Sequence, residues 1–197
     1  MKKSLIAIST AALALCLASV PLVGCGGNSG GGATTGDAPV AAKEDKKTDF
    51  GLYKVEVPEG WEVKLRDTAA QAEFRMNPDD DSELIKISYE SGTAQEEFDD
   101  SIGYWKDKSK PHTDGGTVTI GKYTYLVENF TWNGDTPSVT LYTDAPDGNG
   151  SIEINVFMKT HEDPAVKSFL EDIEFAEDCN AGWQKAYEIK EDNLDIK

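Results

Sequence analysis

From residue 50 onward the chain alternates apolar and polar positions in short runs broken by turn residues. Tyr53, Val55 and Val57 are separated by Lys54 and Glu56, a period of two that predicts a half-buried strand. Pro58-Glu59-Gly60 predicts a turn, and Trp61, Val63 and Leu65 continue as a second strand. Phe74 and Met76 predict a third strand, ended by Asn77-Pro78 and the aspartates that follow. A fourth runs over 84–90, with Ile85, Ile87 and Tyr89 on one face. The period then changes. Thr93-Ala94-Gln95-Glu96 has the form of a capping box, and Phe98, Ile102 and Trp105 fall on one helical stripe. Lys106, Lys108 and Lys110 complement the C-terminal end of that helix, and Pro111 stops it.

Strands resume at Val118 and Ile120. The segment 123–132 is apolar or aromatic on both faces, which predicts a strand deep in the sheet. Asn133-Gly134 signals a hairpin. Val139, Leu141 and Thr143 keep the period of two, residues 146–150 form another turn, and Ile152, Ile154, Val156 and Met158 make a last strand. Asp163-Pro164 supplies an N-cap and a proline at the first helical position, followed by Val166, Phe169, Leu170 and Ile173 on one face. The predicted fold class is α+β: an antiparallel sheet of about six to eight strands covered by two main helices.

This order of elements, with Val57-Pro58-Glu59-Gly60-Trp61, the mid-chain helix, Gly121-Lys122-Tyr123-Thr124-Tyr125 and a last helix closing on Ile173-Glu174-Phe175, resembles the PsbP/Mog1/DcrB-like superfamily. The resemblance runs over about residues 50–176. It implies an α/β/α sandwich and an accessory or binding role without catalysis, and it transfers no site residues. The tail beyond Asp178 departs from the pattern. Trp183 and Tyr187 suit a docking helix, or else residues 187–190 an edge strand.

The first 25 residues have a different texture. Lys2 and Lys3 precede an apolar run over 5–23, the layout of a secretory signal. Ser9, Thr10, Ser19 and Pro21 interrupt the run, which is marginal for a membrane span. Its end, Leu22-Val23-Gly24-Cys25, resembles the lipobox of bacterial lipoproteins. The resemblance implies cleavage after Gly24 and a diacylglyceryl group on the Cys25 thiol, two acyl chains being enough for stable anchoring. Gly-rich chain follows and reads as a tether. The organisation this predicts is a signal peptide over 1–24, the lipidated cysteine and tether over 25–48, the α+β domain over 49–176 and a C-terminal tail over 177–197. The expected location is the bacterial cell membrane, with the domain on the extracytoplasmic side.

Charge narrows the partners. The chain has 19 Lys and Arg against 36 Asp and Glu, a formal net charge of −17. Phosphate backbones would repel such a body, so nucleic acid is excluded as a partner. Lys43, Lys46 and Lys47 in the tether read as solvated. Cys16 falls in the leader and Cys25 carries lipid, so Cys179 has no disulfide partner and reads as a buried or free thiol without a catalytic role.

No motif points to catalysis, a metal or a cofactor. The two histidines, His112 and His161, lie far apart in polar loops and read as surface residues rather than ligands. No serine stands in a Gly-x-Ser-x-Gly elbow. Asp79, Asp80, Asp81 and Glu83, and separately Asp135, Asp144, Asp147 and Asn149, fit turn chemistry better than a Ca²⁺ loop. Tyr104, Trp105 and Trp132 could form a carbohydrate platform, although Trp105 on the helical stripe reads as core. The leading expectation is a non-enzymatic module for a protein or envelope partner. The alternative is an acidic lipoprotein binding Ca²⁺ or a small ligand. A concave apolar pocket would favour a ligand and a flat apolar patch a protein.

The lipobox reading predicts that Cys25→Ser moves the protein from the membrane fraction to the soluble fraction on fractionation; a variant that still sediments with membranes contradicts the anchor.

Overall fold

The computed structural model describes residues 46–196; Cys25 and most of the tether lie outside these residues. Ten strands and three helices follow in the order β1 (Thr48–Asp49), β2 (Tyr53–Val55), β3 (Glu62–Leu65), β4 (Ala72–Asn77), β5 (Asp80–Glu90), α1 (Ala94–Trp105), β6 (Thr113–Ile120), β7 (Tyr123–Trp132), β8 (Thr136–Asp144), β9 (Ser151–Val156), α2 (Pro164–Asp172), β10 (Glu174–Phe175) and α3 (Cys179–Ala186). Seven strands form one antiparallel sheet in the order β3-β4-β5-β9-β8-β7-β6, and β1, β2 and β10 form a small second sheet. The fold is α+β, with a main sheet of the expected size. Among the described residues no helix is long and apolar enough to cross a membrane.

The period of two divides the main sheet into two faces. Val127 of β7, Val139 and Leu141 of β8, Ile152, Ile154 and Val156 of β9 and Ile85 and Ile87 of β5 are buried in one core with Val166, Phe169 and Leu170 of α2. Phe74 links the layers, with its ring centroid 4.9 Å from Phe169 and 5.0 Å from Phe50. On the opposite face, Phe98 of α1 packs against Tyr142 with Ile102 and Leu126 beside them. That contact is much smaller, so α1 covers only part of its face.

Local chemistry places the helix starts as the sequence predicts. The Thr93 hydroxyl accepts from the Glu96 amide, and the Glu96 carboxylate accepts from the Thr93 amide at 2.9 Å. Asp163 Oδ1 accepts from the Ala165 amide at 2.9 Å and begins α2. The turn at Asn133-Gly134 has φ of 46° and 97°, the left-handed pair a tight hairpin requires.

Four expectations are corrected. The segment 123–132 is β7, second from the sheet edge; it is apolar on both faces because α1 covers one side and the core the other. The central strand is β9. It ends at Val156, with Met158 outside it, and β10 follows later, so it is not the last strand. Helix α1 ends at Trp105, well before Pro111, and carries no basic residue in its last turn. Lys47 is not merely solvated, for its Nζ lies 3.0 Å from Asp172 and 2.8 Å from Glu174, and Thr48 already belongs to β1.

The tail forms a helix. Asp178 caps α3 by accepting from the Ala181 amide at 2.8 Å. The Cys179 side chain is fully buried; burial first, and then the charges of Asp147 and Asp178, push its thiol up to about 11. Such a thiol is inert at neutral pH. Glycines bring α3 against the loop after β1: a Cβ on Gly182 would stand 2.8 Å from the Gly51 carbonyl oxygen, closer than any real contact. Alanine in place of glycine inside a helix normally stabilises. At this site the clash reverses the sign. Gly182→Ala is expected to lower stability by about 1–3 kcal/mol in urea denaturation; an unchanged or raised midpoint would show that α3 does not pack this closely.

Candidate functional site

Between the last turns of α1 and the open half of its sheet face lies a cavity of about 670 Å³, within the usual range for small-ligand sites. Its walls come from α1 and the following loop, from the β7–β8 hairpin and from β9. Trp105, Phe130, Trp132 and Phe157 give the aromatic lining, and the polar part includes Glu97, Asp100, Glu153, Thr140, Tyr142 and Asn155 together with Lys108 and Lys110.

Register explains why these side chains meet. Glu128 of β7 is opposite Thr140 of β8, which is opposite Asn155 of β9, and Tyr142 is opposite Glu153. All project to the face opposite the main core. The alternation that buries Ile152 and Ile154 therefore aims Glu153 and Asn155 into the cavity. The Thr140 hydroxyl donates to Asn155 Oδ1 at 2.9 Å, which turns the Asn155 amide nitrogen toward Glu153.

Behind this surface sits Glu128, with no exposed surface. Ser101 of α1 donates to its Oε1 at 2.8 Å and Tyr142 to its Oε2 at 2.6 Å. His112 Nδ1, from the segment after α1, meets Oε1 as well. The His112 ring is stacked between Trp105, centroids 4.5 Å apart, and Phe130 at 4.8 Å. One carboxyl group thus ties α1, the loop after it and β8 to β7. Burial, and then the bond to Glu128, push the Tyr142 hydroxyl far above the usual phenol range, so it remains a donor at any physiological pH.

Glu153 is placed differently. Burial raises its carboxyl above the usual range, the Asn155 amide lowers it, and the negative charges of Glu90, Glu128 and Glu97 raise it further. Glu90 is raised as well, by burial and by Glu97. Carboxylates from β5, α1, β7 and β9 thus converge, and among the described residues no ion pair is formed by Glu90, Glu97, Asp100 or Glu153.

The arrangement does not match a nucleophilic triad. In such a triad the histidine stands between nucleophile and carboxylate. In this site Glu128 stands between Ser101 and His112, so the serine hydroxyl faces a carboxylate and not the imidazole. No group of three or more His, Cys, Asp or Glu side chains among the described residues is disposed to hold a metal ion. Glu128 in particular has both oxygens occupied by protein donors.

Several residues singled out from sequence take other places. His112 is no surface residue; its side chain is 14% exposed and forms part of the cavity. Trp105 lies on the predicted stripe, but it stacks on His112 and lines the cavity rather than the core. Trp132 joins it in the same lining, whereas Tyr104 points outward and is 64% exposed. His161 stands apart, in a shallow depression beside β6. The aspartates of the turns cap backbone: Asp80 accepts from the Ser82 amide at 2.9 Å, Asp144 from the Ala94 amide at 2.9 Å and Asp147 from the Asn149 amide at 3.0 Å. Glu128, Ser101, Tyr142, Glu153 and Asn155 were not legible as a site. The one available signal was Glu128 itself, an acid inside a segment apolar on both faces.

No family model matches this chain, and no curated protein matches it. Among solved structures it is similar to the solution structure of cyanobacterial PsbP (CyanoP) from Synechocystis sp. PCC 6803, with 14% identity over 64% of this chain and 88% of that chain and a TM-score of 0.40. An overlap of that extent leaves the site to be read from this chain's own residues.

Two stability contrasts follow from the geometry. Tyr142→Phe removes a bond to a buried carboxyl group and is expected to cost about 1.5–3 kcal/mol. Tyr125→Phe removes a buried hydroxyl without a hydrogen-bond partner in the protein and should cost nothing or stabilise. Equal losses in chemical denaturation would contradict the assignment of Tyr142 to Glu128. An acid whose folded-state value is raised binds more protons folded than unfolded, so its contribution becomes less favourable as pH rises past the ordinary carboxylate range. Glu153→Gln is therefore expected to raise stability at pH 7, with the gain vanishing below about pH 4; a destabilised variant at pH 7 would contradict the crowding of negative charge.

Proposed function

We propose that this chain is a bacterial lipoprotein, anchored at the cell membrane through lipid on Cys25 with its domain on the extracytoplasmic side. The domain acts as a non-catalytic binding module, and the cavity beneath α1 is its binding site for a small organic component of the envelope or its surroundings. The observation that carries this reading is the cavity of about 670 Å³, concave and aromatic, with Trp105, Phe130, Trp132 and Phe157 in its lining and oriented polar groups at its floor. Ligand sites combine apolar walls with a few fixed polar atoms in this way.

The same geometry argues against turnover. Ser101 and His112 are both committed to Glu128 rather than to one another. The Cys179 thiol, buried outside the cavity, is held protonated at neutral pH. An accessory role is also what the resemblance to the PsbP/Mog1/DcrB-like superfamily implies. The long Gly-rich segment after Cys25 supports the anchor reading, since a chain of that composition spans roughly 25–30 Å and spaces an acidic domain from anionic headgroups.

A protein-observed NMR screen of the labelled chain with a small-fragment library tests the site. Hits are expected to shift the Trp105 and Trp132 indole signals and the Asn155 side-chain amide, and Trp105→Ala should abolish those shifts. Fragments that consistently perturb other surfaces, or none that perturb the cavity, would overturn the assignment.

A further inference from the structure

Resting on the reading of the cavity as a ligand site, we infer that its ligand is a cation with an organic body: an ammonium group seated against Glu153 and an apolar part held between the aromatic side chains of Trp105, Trp132 and Phe157.

The charge balance of the cavity carries this step. Carboxylates face it from several elements: Glu97 and Asp100 from α1, Glu153 from β9, and Glu128 beneath them from β7. Two lysines, Lys108 and Lys110, line the cavity as well, but among the described residues neither pairs with its carboxylates. His112 Nδ1 is bound to Glu128. Lys108 Nζ stands 4.5 Å from the Tyr104 ring centroid. Lys110 Nζ donates to the Gly134 carbonyl oxygen. Lys86 of β5, behind Phe157, pairs with the buried Glu73 at 3.1 Å. Glu153 is left with an amide donor from Asn155 and negative neighbours. A crowded carboxylate without a paired cation is unfavourable, and a cation bound at Glu153 relieves it.

The walls select an organic cation over a bare metal ion. Ca²⁺ requires six to eight oxygen ligands, whereas Trp105, Phe130, Trp132 and Phe157 take a large share of this lining, and both Glu128 oxygens are already engaged by Ser101, Tyr142 and His112. Aromatic faces attract ammonium groups through their negative π clouds. A carboxylate beside several rings is thus complementary to an amine in both charge and surface. A neutral sugar would use the rings but would leave the negative charge of Glu153, Glu97 and Glu90 uncompensated.

Glu153 also gives the site a pH dependence. It is faced by Asn155 on its own strand, Glu90 from β5, Glu97 from α1, and Glu128 and Tyr142 from β7 and β8. Protonation of Glu153 removes the ammonium's partner, so cation affinity falls as pH drops through the raised range in which Glu153 takes up its proton.

The test titrates the full chain in nonionic detergent with four probes, read by NMR shifts of the cavity residues: 2-phenylethylammonium, 2-phenylethanol, 3-phenylpropanoate and cellobiose. The ammonium should bind at least about tenfold more tightly than the isosteric alcohol, and the carboxylate probe should not bind. Glu153→Gln, which is expected to fold stably, should remove the preference for the ammonium and leave alcohol affinity unchanged. Equal binding of ammonium and alcohol, or cellobiose binding in the cavity without the ammonium, would overturn the cationic ligand while leaving the cavity as the site. No response of the cavity residues to any probe would overturn both.

Discussion

A carboxyl group buried in a sheet is tolerated only when its hydrogen-bonding capacity is filled. Glu128 meets that condition with three donors from three different places in the chain: Ser101 on α1, His112 in the segment that follows it, and Tyr142 on β8. The consequence is geometric. The apolar contact beneath α1, built on Ala94, Phe98 and Tyr142, is small beside the main core. Polar bonds to Glu128 hold the far half of the helix where apolar contact runs out. They keep its last turns over the sheet without filling the space below, and that space is the cavity. His112, once fixed by Glu128, becomes a spacer between the rings of Trp105 and Phe130.

The two faces of the sheet therefore do different work. One is packed against α2 by Phe74, Phe169 and the aliphatic residues of β5, β8 and β9, and carries most of the buried apolar surface. The other carries polar residues whose partners lie within the protein. Glu153 is kept among negative neighbours that disfavour its charged form in the fold. Anchorage through Cys25 would keep this acidic domain at the membrane by lipid alone, since a net charge of −17 works against any electrostatic attachment to anionic lipid.

How much of this the chain disclosed depends on range. Features fixed by neighbours in sequence were readable: the capping box at Thr93, the Asp163-Pro164 helix start, the Asn133-Gly134 hairpin and the alternation of Ile152, Ile154 and Val156. Features fixed by pairing across the sheet were not. Alternation in β9 assigns Glu153 and Asn155 to a polar face, and a polar face ordinarily means solvent; only the position of α1 turns it into a cavity floor. Trp105 sits at the correct place on its stripe, yet the helix reaches past the apolar contact there and the ring meets His112 instead. His112 itself stands in a run of polar residues, and nothing local announces the two rings and the carboxyl group that enclose it.

The dependence of the α1 wall on Glu128 can be measured directly by native-state hydrogen exchange on Glu128→Leu, which leaves the Ser101, His112 and Tyr142 donors without their acceptor while keeping the side-chain volume. The account predicts that amides of α1 lose protection selectively, while those of α2 and of β9 keep the protection of the native protein. Loss of protection spread evenly over both helices, or an α1 as protected as in the native chain, would contradict the claim that this one buried carboxyl group holds the helix over the cavity.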